Sequence, residues 1–286
     1  LILDKPTGFT SHDCANKVRR FYNTNKVGHT GTLDPDASGV LVVLVGRAAK
    51  AADFLVSDEK TYLAGLRLGI TTDTEDTTGK VLTESSEIPD RERVLSVCES
   101  FVGDIMQVPP MYSALKRDGQ KLVDLARRGI TVERDARPIT IHSLDALPTD
   151  RPDEYTLTVR CSKGTYIRTL CHDIGAALGC GGVMSALRRT EVGGYRVGDA
   201  HTMDALCALP REAAQRLLLP VDSLWPDAPR ITVDARSERL ARCGNPFALG
   251  VPDGTYRIYA ASGEFLLLAQ VTDGMAVTIK SFFEVS

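Results

Sequence analysis

The sequence has few of the features that mark membrane, secreted or metal-binding proteins. Its longest apolar run, residues 40–45, is far shorter than the roughly 18 residues that a membrane-spanning helix requires, so a buried strand is predicted there. Residues 1–4 form a β-like run and show no basic segment or cleavage pattern of a secretory signal. The seven cysteines are scattered without a Cys-x-x-Cys pair, which predicts neither a zinc site nor disulfides and favours a reducing cytoplasm.

A surplus of positive charge is also missing. The 34 Lys and Arg residues are outnumbered by 37 Asp and Glu residues, which gives a formal net charge of −3. An RNA partner would therefore have to meet local positive charge. Residues 107–131 supply a candidate, because five basic residues against two acidic ones leave a local charge of +3, although a solvated helix face explains such a run equally well. The basic residues are Lys116, Arg117, Lys121, Arg127 and Arg128.

The alternation of apolar and turn-forming residues predicts an α+β protein. Strands are predicted over 1–3, 40–45, 60–69 and, as one long strand or two short ones, 155–169. Helices are predicted from Ser11, a plausible N-cap, to Tyr22, over 48–55, near 119–128, after 169 as far as Gly179, and over 211–218. Residues 71–79, rich in Thr and Asp, are predicted to form a loop.

A domain boundary is predicted in the proline-bearing stretch 220–229. Beyond it, a short helix over 237–242 should stop at Gly244, a residue type that favours helix ends. Three β runs follow over 256–260, 264–271 and 275–285, separated by Asp-Gly and Ser-Gly turns that are typical of hairpins. The sequence therefore predicts a large domain over 1–224 and a small, mostly β module over 228–286.

The segment 28–39 is the most unusual in the chain. It is rich in glycine and small polar residues, yet it leads directly into an apolar strand. Pro35 disfavours the α conformation for Asp34, so this carboxylate should stand on a bent and fixed backbone, as a nucleophile would. An Asx-turn with no chemistry is the alternative. The pattern Asp34-x-Asp36-x-Ser38 also matches aspartyl-phosphate phosphatases, but the hydrophobic strand that should precede it is missing.

A second candidate segment is Ser162-Lys163-Gly164-Thr165-Tyr166-Ile167-Arg168. In a strand, Tyr166 and Arg168 would share one face, about 6.6 Å apart, and could line a pocket for a planar ring and a carboxylate. An edge strand with Arg168 in solvent is an equal alternative. Lys60 and Tyr62 would likewise point the same way, although a lone strand tyrosine usually serves packing.

No metal or cofactor site is predicted from the sequence. The acidic cluster Asp73, Glu75 and Asp76 lacks the loop length and the closing glutamate of an EF-hand, so a solvated turn is expected. No nucleotide-binding motif is visible.

Taken together, these segments resemble the bacterial tRNA pseudouridine synthases of the TruB type, which isomerise the uridine at position 55 in the T-arm loop. The resemblance runs the length of the chain. Its motifs are Leu3-Asp4-Lys5-Pro6-x-Gly8-x-Thr10-Ser11, Gly28-His29-Thr30-Gly31-Thr32-Leu33-Asp34-Pro35, Lys60-Thr61-Tyr62, Thr72-Asp73-Thr74-x-Asp76, Pro110-Met111-Tyr112-Ser113-Ala114-Leu115-Lys116, Ser162 to Arg168, and Leu187-Arg188-Arg189-Thr190. One departure is Gly182-Val183, where many relatives carry Ala-His.

The resemblance implies a fold and a set of roles. The fold would be a pseudouridine-synthase core with a mixed, mainly antiparallel sheet flanked by helices, followed by a small β-barrel of the PUA type. Residues 107–138 would form a mobile RNA-gripping thumb. The implied catalytic residues are Asp34 as nucleophile, Arg168 as its ion-pair partner, Tyr62 stacking on the uracil, and Tyr166 lining the pocket. The implied RNA-binding residues are His29, Lys5, Lys116, Lys163, Leu187 and Arg189.

The reaction that the resemblance implies needs no cofactor, because a glycosidic bond is broken and remade without redox change. The expected partner is the T-arm stem-loop of tRNA, bound by a cytoplasmic monomer with no membrane contact and no obligate protein partner. A folding chaperone for tRNA with incidental isomerase activity is the alternative from another functional class. Residue types leave open whether Asp34 attacks the sugar or the uracil ring, and which group moves the proton.

Overall fold

A computed structural model describes residues 1–52 and 59–283 of the chain. Most of the described strands belong to one large sheet and one small one. In chain order the strands are β1 (Ile2–Lys5), β2 (Val27–Thr30), β3 (Ser38–Val45), β4 (Glu59–Leu68), β5 (Ile70–Thr72), β6 (Val81–Glu84), β7 (Gly103–Gln107), β8 (Lys116–Arg117), β9 (Gln120–Lys121), β10 (Arg137–Pro148), β11 (Glu154–Ser162), β12 (Gly182–Val192), β13 (Tyr195–Arg196), β14 (His201–Thr202), β15 (Arg230–Thr232), β16 (Phe247–Ala248), β17 (Gly254–Tyr259), β18 (Phe265–Thr272) and β19 (Met275–Ser281).

The helices are short and flank the sheets. They are α1 (Ser11–Tyr22), α2 (Arg91–Ser100), α3 (Leu122–Ala126), α4 (Ile167–Leu178), α5 (Met203–Ala208), α6 (Arg211–Gln215) and α7 (Ala235–Arg242), with 3-10 turns at Gly46–Ala51, Val197–Asp199 and Val221–Leu224. Within the described ranges, each helix falls short of the length and apolar content needed to cross a membrane.

The large sheet is mixed and mainly antiparallel, in the order β14-β1-β3-β12-β4-β11-β10-β7, with β2 on β3 and β13 on β12. Only the β1–β14 and β3–β12 pairs among these are parallel. Alternation decides which face is buried: every second residue of β4 and β11 enters one core, which α2 and α4 cover. The helices α1, α5 and α6 cover the face of β1 and β3 that carries Leu3, Leu41 and Val43.

Two close backbone approaches join β3 to β12 and α4 to the start of β12. At Gly39, β3 runs so near to Arg189 of β12 that a Cβ would overlap the Arg189 backbone. At Gly175, α4 lies directly on the backbone of Gly181 and Gly182, where a Cβ would also overlap. Only glycine fits at both places, because the neighbouring atoms belong to the main chain and cannot rotate away.

The C-terminal module is a curled five-stranded sheet, a half-barrel in the order β15-β17-β18-β19-β16. The helix α7 closes over its own core, in which residues such as Phe247, Ile258 and Leu266 are buried. Asp222, in the linker, joins the module to the rest of the chain by accepting a hydrogen bond from the Tyr259 hydroxyl. The predicted α+β class, with a large mixed sheet and a small C-terminal β module, is confirmed.

Several predicted elements are confirmed with shifted ends. The helix beginning at Ser11 is capped by Thr10 and not by Ser11, because the Thr10 hydroxyl accepts the Asp13 amide and the Asp13 carboxylate accepts the Thr10 amide. Gly179 and Gly244 adopt positive φ after their helices, as predicted. The helices predicted near 119–128 and over 211–218 are shorter than expected.

One predicted element is wrong, and two lie partly outside the described residues. The strand expected over 155–169 ends at Ser162, and α4 begins at Ile167, so Tyr166 and Arg168 do not share a strand face. The helix expected over 48–55 is a 3-10 turn, Gly46–Ala51, and residues 53–55 are not described. Of the run expected over 275–285, the last two residues lie outside the described range.

Candidate active site

The backbone around Asp34 is held from the side of α1. The Ser11 hydroxyl accepts a hydrogen bond from the Leu33 amide at 2.9 Å and donates one to the Leu33 carbonyl at 3.2 Å. The Asp34 carbonyl then accepts the Ala37 amide at 3.1 Å, which closes a tight turn. Leu33 and Ala37 are both buried, so the turn is packed on each side of the carboxylate. The fixed, bent backbone predicted for Asp34 is therefore present.

Lys5 supports the same loop from the protein interior. Its side chain is fully buried, and its ammonium group donates to the carbonyls of Pro6 at 2.9 Å, Phe9 at 2.6 Å and Pro35 at 3.0 Å. All three donors of the ammonium group are thus used on main-chain oxygens. The expectation that Lys5 contacts RNA does not fit this geometry, because no part of the side chain reaches the surface. Lys5 fixes the turn that carries Asp34.

Arg168 reaches Asp34 from the first turn of α4. Its Nε donates to the Asp34 carboxylate at 2.9 Å, and one terminal nitrogen lies 3.5 Å from the second carboxylate oxygen. The remaining donors go to the Thr74 carbonyl at 3.1 Å and the Tyr112 carbonyl at 2.9 Å. The Arg168 side chain is 7% exposed, whereas the Asp34 side chain is 43% exposed. The charged pair is therefore fixed on its arginine side and open to a ligand on its carboxylate side.

The start of α4 is held by a buried glutamine that sequence reasoning missed. The Gln107 side chain accepts the Tyr166 amide at 2.8 Å and donates to the Tyr166 carbonyl at 3.1 Å. Gln107 is the last residue of β7 and is 2% exposed. Both ends of its amide are used, so Tyr166, two residues before Arg168, is fixed to the end of β7.

Tyr62 stands on β4, opposite Arg189 of β12. Arg189 is 1% exposed, and its guanidinium donates to the Val40 carbonyl at 2.9 Å and to the Gly31 carbonyl at 3.0 Å. Burial raises the pKa of Tyr62, and burial likewise raises the pKa of Tyr166. Both phenols are therefore protonated at neutral pH.

Asp34, Tyr62, Tyr166, Arg168 and Arg189 line one cavity of about 490 Å³, which we call the Asp34 cavity. Its lining residues contain five cationic groups and one carboxylate. They are Gly31, Thr32, Leu33, Asp34, Lys60, Tyr62, Tyr112, Ser113, Ala114, Lys121, Val123, Lys163, Gly164, Thr165, Tyr166, Ile167, Arg168, Leu187 and Arg189. A larger groove of about 760 Å³ lies between the large sheet and the C-terminal module, but no carboxylate is among the residues that line it. The Asp34 cavity is the better candidate for chemistry.

Two family models match the chain. The model of the N-terminal domain of TruB family pseudouridylate synthases covers residues 19–167, and that of the C-terminal domain of tRNA pseudouridylate synthase B covers residues 168–225. The chain belongs to the TruB family. It is therefore a pseudouridine synthase, an isomerase.

Relatives in the TruB family cover nearly the whole chain. The tRNA pseudouridine synthase B of Dechloromonas aromatica is 47% identical over 91% of this chain and 87% of its own length. That of Cupriavidus metallidurans is 43% identical over 96% of this chain and 90% of its own length. Among solved structures, a Cbf5-Nop10-Gar1 complex matches with a TM-score of 0.73 and 26% identity, over 99% of this chain and 84% of that chain.

The structure brings most of the predicted site residues of this TruB-family chain together, but not all of them. Asp34, Tyr62, Tyr166, Arg168, Lys163, Leu187 and Arg189 line the Asp34 cavity. His29, on β2, is not among the lining residues, and burial lowers its pKa, so it is uncharged at neutral pH. Lys116 lies on the exposed hairpin of β8 and β9, outside the cavity.

The loop over 73–79 is part of the site and not the solvated turn that was expected. Asp76 organises it by accepting hydrogen bonds from the Thr74 and Thr78 hydroxyls at 2.7 and 2.6 Å. This geometry presents the Thr74 carbonyl to Arg168. Two acidic residues of this loop also contact α4: an Asp76 carboxylate oxygen lies 3.9 Å from an Arg168 nitrogen, and Glu75 accepts a hydrogen bond from the Thr169 hydroxyl at 2.6 Å. Among the described residues, no group of three or more His, Cys, Asp or Glu is placed to hold a metal ion.

Proposed function

We propose that this chain isomerises the uridine at position 55 in the T-arm loop of tRNA, with Asp34 as the nucleophile. The observation that carries the proposal is the Asp34–Arg168 pair, in which a fixed arginine presents a half-exposed carboxylate to the Asp34 cavity. The names of the relatives, tRNA pseudouridine synthase B, support tRNA as the substrate. The agreement of the chain's sequence motifs with those of the TruB type supports position 55 as the target.

The target base must leave its stack before it can reach Asp34. Extruding a nucleotide costs a few kcal/mol, and stacking on an aromatic ring returns about 1–3 kcal/mol per base. Tyr62 and Tyr166 line the cavity and supply such rings, and Leu187 supplies an apolar surface. The flipped uracil would lie among these side chains, with its ribose towards Asp34.

The Arg168 guanidinium would keep the Asp34 carboxylate ionised and aimed during the reaction. The bond between uracil N1 and the ribose breaks, the uracil turns, and its C5 bonds to the same ribose carbon. The proton on C5 leaves and N1 gains one, so atoms and charges balance without an external reagent. Because burial keeps both lining phenols protonated, Tyr62 and Tyr166 are disfavoured as the base that removes the C5 proton.

The proposal also assigns roles to the parts of the chain. Residues 1–224 would perform the reaction, since the lining residues of the Asp34 cavity all lie between 31 and 189. The thumb, residues 107–138, would grip the RNA: it leaves and re-enters the large sheet between the paired strands β7 and β10 and carries its own small core around Met111 and Leu122. The module over 228–286 would hold the rest of the tRNA.

The test is Asp34→Asn, which keeps the shape of the side chain and removes its charge. We expect tritium release from a T-arm stem-loop with 5-³H-uridine at position 55 to fall by at least about three orders of magnitude, as for the loss of a covalent nucleophile. The affinity for the same RNA should change little, because Asp34 contributes no positive charge to binding. The purified chain alone is used, so wild-type turnover also tests whether a protein partner is needed.

The matched control is Asp36→Asn, which removes an exposed carboxylate two residues away in the same turn. This variant should keep wild-type turnover. Normal tritium release by Asp34→Asn would refute the nucleophile, and wild-type modification at a position other than 55 would refute the proposed target.

A further inference from the structure

We infer that Glu75 is a positioning residue for the reaction: its side chain fastens the loop over 73–79 to α4, so that the loop holds the Arg168 guanidinium in the orientation that Asp34 needs. This role rests on the proposed function, because it takes the Asp34–Arg168 pair as the reacting centre. It differs from the sequence-based expectation, in which Glu75 belongs to a solvated turn.

The Glu75 carboxylate contacts α4 one residue after Arg168. It accepts a hydrogen bond from the Thr169 hydroxyl at 2.6 Å, and Thr169 is buried. A hydroxyl that donates to an ionised carboxylate forms a short and strong hydrogen bond. This bond therefore fastens the loop to the first turn of α4, at a point beside Arg168 that does not use the guanidinium.

The main chain of Glu75 fixes the other side of the loop. Its carbonyl accepts a hydrogen bond from the Met184 amide of β12 at 3.0 Å, and the Met184 carbonyl accepts one from the Thr77 amide at 3.0 Å. The loop is thus tied to β12 through its backbone and to α4 through the Glu75 side chain. The Thr74 carbonyl, which accepts a hydrogen bond from Arg168 at 3.1 Å, is held by both attachments.

Glu75 has a backbone conformation that a glutamate rarely adopts. Its φ is +64°, in the left-handed region where glycine and asparagine fit best. A non-glycine residue there costs stability, and such residues cluster at functional sites where the surrounding contacts hold them. Glycine would suit this turn better but would lose the contact with Thr169. A side chain that costs folding stability in the turn and bonds to the helix beside Arg168 therefore fits a role in the reaction.

Arg168 has a second carboxylate close by, so the position of the loop affects the charge balance around Asp34. An Asp76 carboxylate oxygen lies 3.9 Å from an Arg168 nitrogen, whereas an Asp34 oxygen lies 2.9 Å from the Arg168 Nε. The attraction between opposite charges grows as they approach, so the guanidinium favours Asp34 while the loop keeps Asp76 at the longer distance. A loop released from α4 would allow Asp76 to compete with Asp34 for the donors of Arg168.

The test is Glu75→Gly, which keeps the turn and removes the contact with Thr169. We expect single-turnover modification at saturating RNA to fall about tenfold, less than the roughly 100-fold loss that a misplacement by about 1 Å can cause. The affinity for the T-arm stem-loop should stay within about twofold of wild type, because no positive charge is removed. The melting temperature should stay within about 3 °C, since glycine relieves the backbone strain while the hydrogen bond is lost.

A double-mutant cycle with Arg168→Lys shows whether Glu75 acts through Arg168. We expect Glu75→Gly to lower the single-turnover rate about tenfold when Arg168 is present, but less than about twofold in the Arg168→Lys background. A glutamate that only stabilises the fold would lower the rate by the same factor in both backgrounds. Equal factors, or a wild-type rate for Glu75→Gly alone, would overturn the inference.

Further variants separate this outcome from misfolding and from failure of the proposed function. Thr169→Val removes the other partner of the hydrogen bond and should repeat the loss, whereas Glu75→Gln keeps an acceptor for the hydroxyl and should recover most of the rate. Glu87→Gly, in the loop after β6, removes an exposed glutamate and should keep the wild-type rate. If the wild-type chain modifies position 55 and Glu75→Gly does so at the same rate, only the role of Glu75 is refuted.

Discussion

At the scale of single residues, Arg168 connects three segments that are far apart in the chain. Its guanidinium holds the Asp34 carboxylate, the Thr74 carbonyl and the Tyr112 carbonyl at the same time. Only a planar group with several donors in fixed directions can do this. The fixed geometry of the Arg168 guanidinium therefore matters as much as its charge.

Arg168→Lys should therefore lose activity although the positive charge remains. A lysine ammonium cannot reach all three partners, so the Asp34 carboxylate would be free to turn, and misplacement by about 1 Å can cost roughly 100-fold in rate. We expect a loss of this size or more in single-turnover modification, with RNA affinity nearly unchanged. Arg160→Lys, in an exposed arginine paired with Glu59, is the matched control and should behave as wild type. A fully active Arg168→Lys would show that the fork geometry is not needed.

Lys5 and Arg189 show what residue types alone do not reveal. Both were expected at the RNA because they belong to the motifs of the family, yet both are buried and bind backbone carbonyls. The residue type of a basic side chain beside a functional loop does not show whether the side chain faces the ligand or supports the loop. Burial separates the two roles, and burial is a property of the assembled sheet.

At the scale of elements, strands with a strong alternation of apolar and polar residues were predicted well, and short linking segments were not. The strands β3, β4 and β17 to β19 follow clear patterns of apolar and polar residues bounded by turns, and they form where expected. The segment 163–169 failed because Thr165, Tyr166 and Ile167 are residue types that favour strands. Gly164 turns the chain with a φ of +82°, and the buried Gln107 fixes Tyr166 as the residue before a helix. The hydrogen bonds from Gln107 join residues 59 positions apart, so local residue preferences do not reveal them.

The packing of α4 on β12 gives a prediction at this scale. Gly175→Ala would favour the helix by about 1 kcal/mol, but its Cβ would overlap the backbone of Gly181 and Gly182, and overpacking of this kind costs about 1–3 kcal/mol. Because main-chain atoms cannot rotate away, we expect the overlap to dominate and the melting temperature to fall by several degrees, at about 2–4 °C per kcal/mol. Gly198→Ala, where a Cβ would meet open space, should leave the melting temperature nearly unchanged. A more stable Gly175→Ala variant would contradict the packing.

At the scale of the whole molecule, the site is assembled by topology. Asp34, Tyr62, Tyr112 and Arg168 stand on four elements that are neighbours only because β12 and β4 run between β3 and β11 in the large sheet. Spacing along the chain does not contain this order of strands. From the sequence, Asp34, Tyr62 and Arg168 were grouped through their resemblance to a known family, whereas Tyr112 was not predicted as a site residue.

The separation of the two sheets gives a prediction for a shortened chain. A variant ending at residue 227 keeps every lining residue of the Asp34 cavity and loses the C-terminal core around Phe247 and Ile258. We expect it to modify an isolated T-arm stem-loop within about threefold of the full chain's single-turnover rate, but to bind full-length tRNA more weakly. A melting curve with one cooperative transition serves as the control for folding. Loss of stem-loop modification in a folded variant would show that the module acts in the reaction itself.

The Tyr112 carbonyl, in the proposed thumb, accepts a hydrogen bond from Arg168 of the Asp34–Arg168 pair. If the thumb swings outward to admit a tRNA loop, that nitrogen loses its acceptor, and the guanidinium then has one fewer anchor with which to steady the Asp34 carboxylate. Restoring the anchor requires the thumb to settle again over whatever has entered. The Asp34 carboxylate would thus be held in place for bond breaking only after the thumb has closed over the RNA. This would disfavour reaction with a base that is bound only briefly.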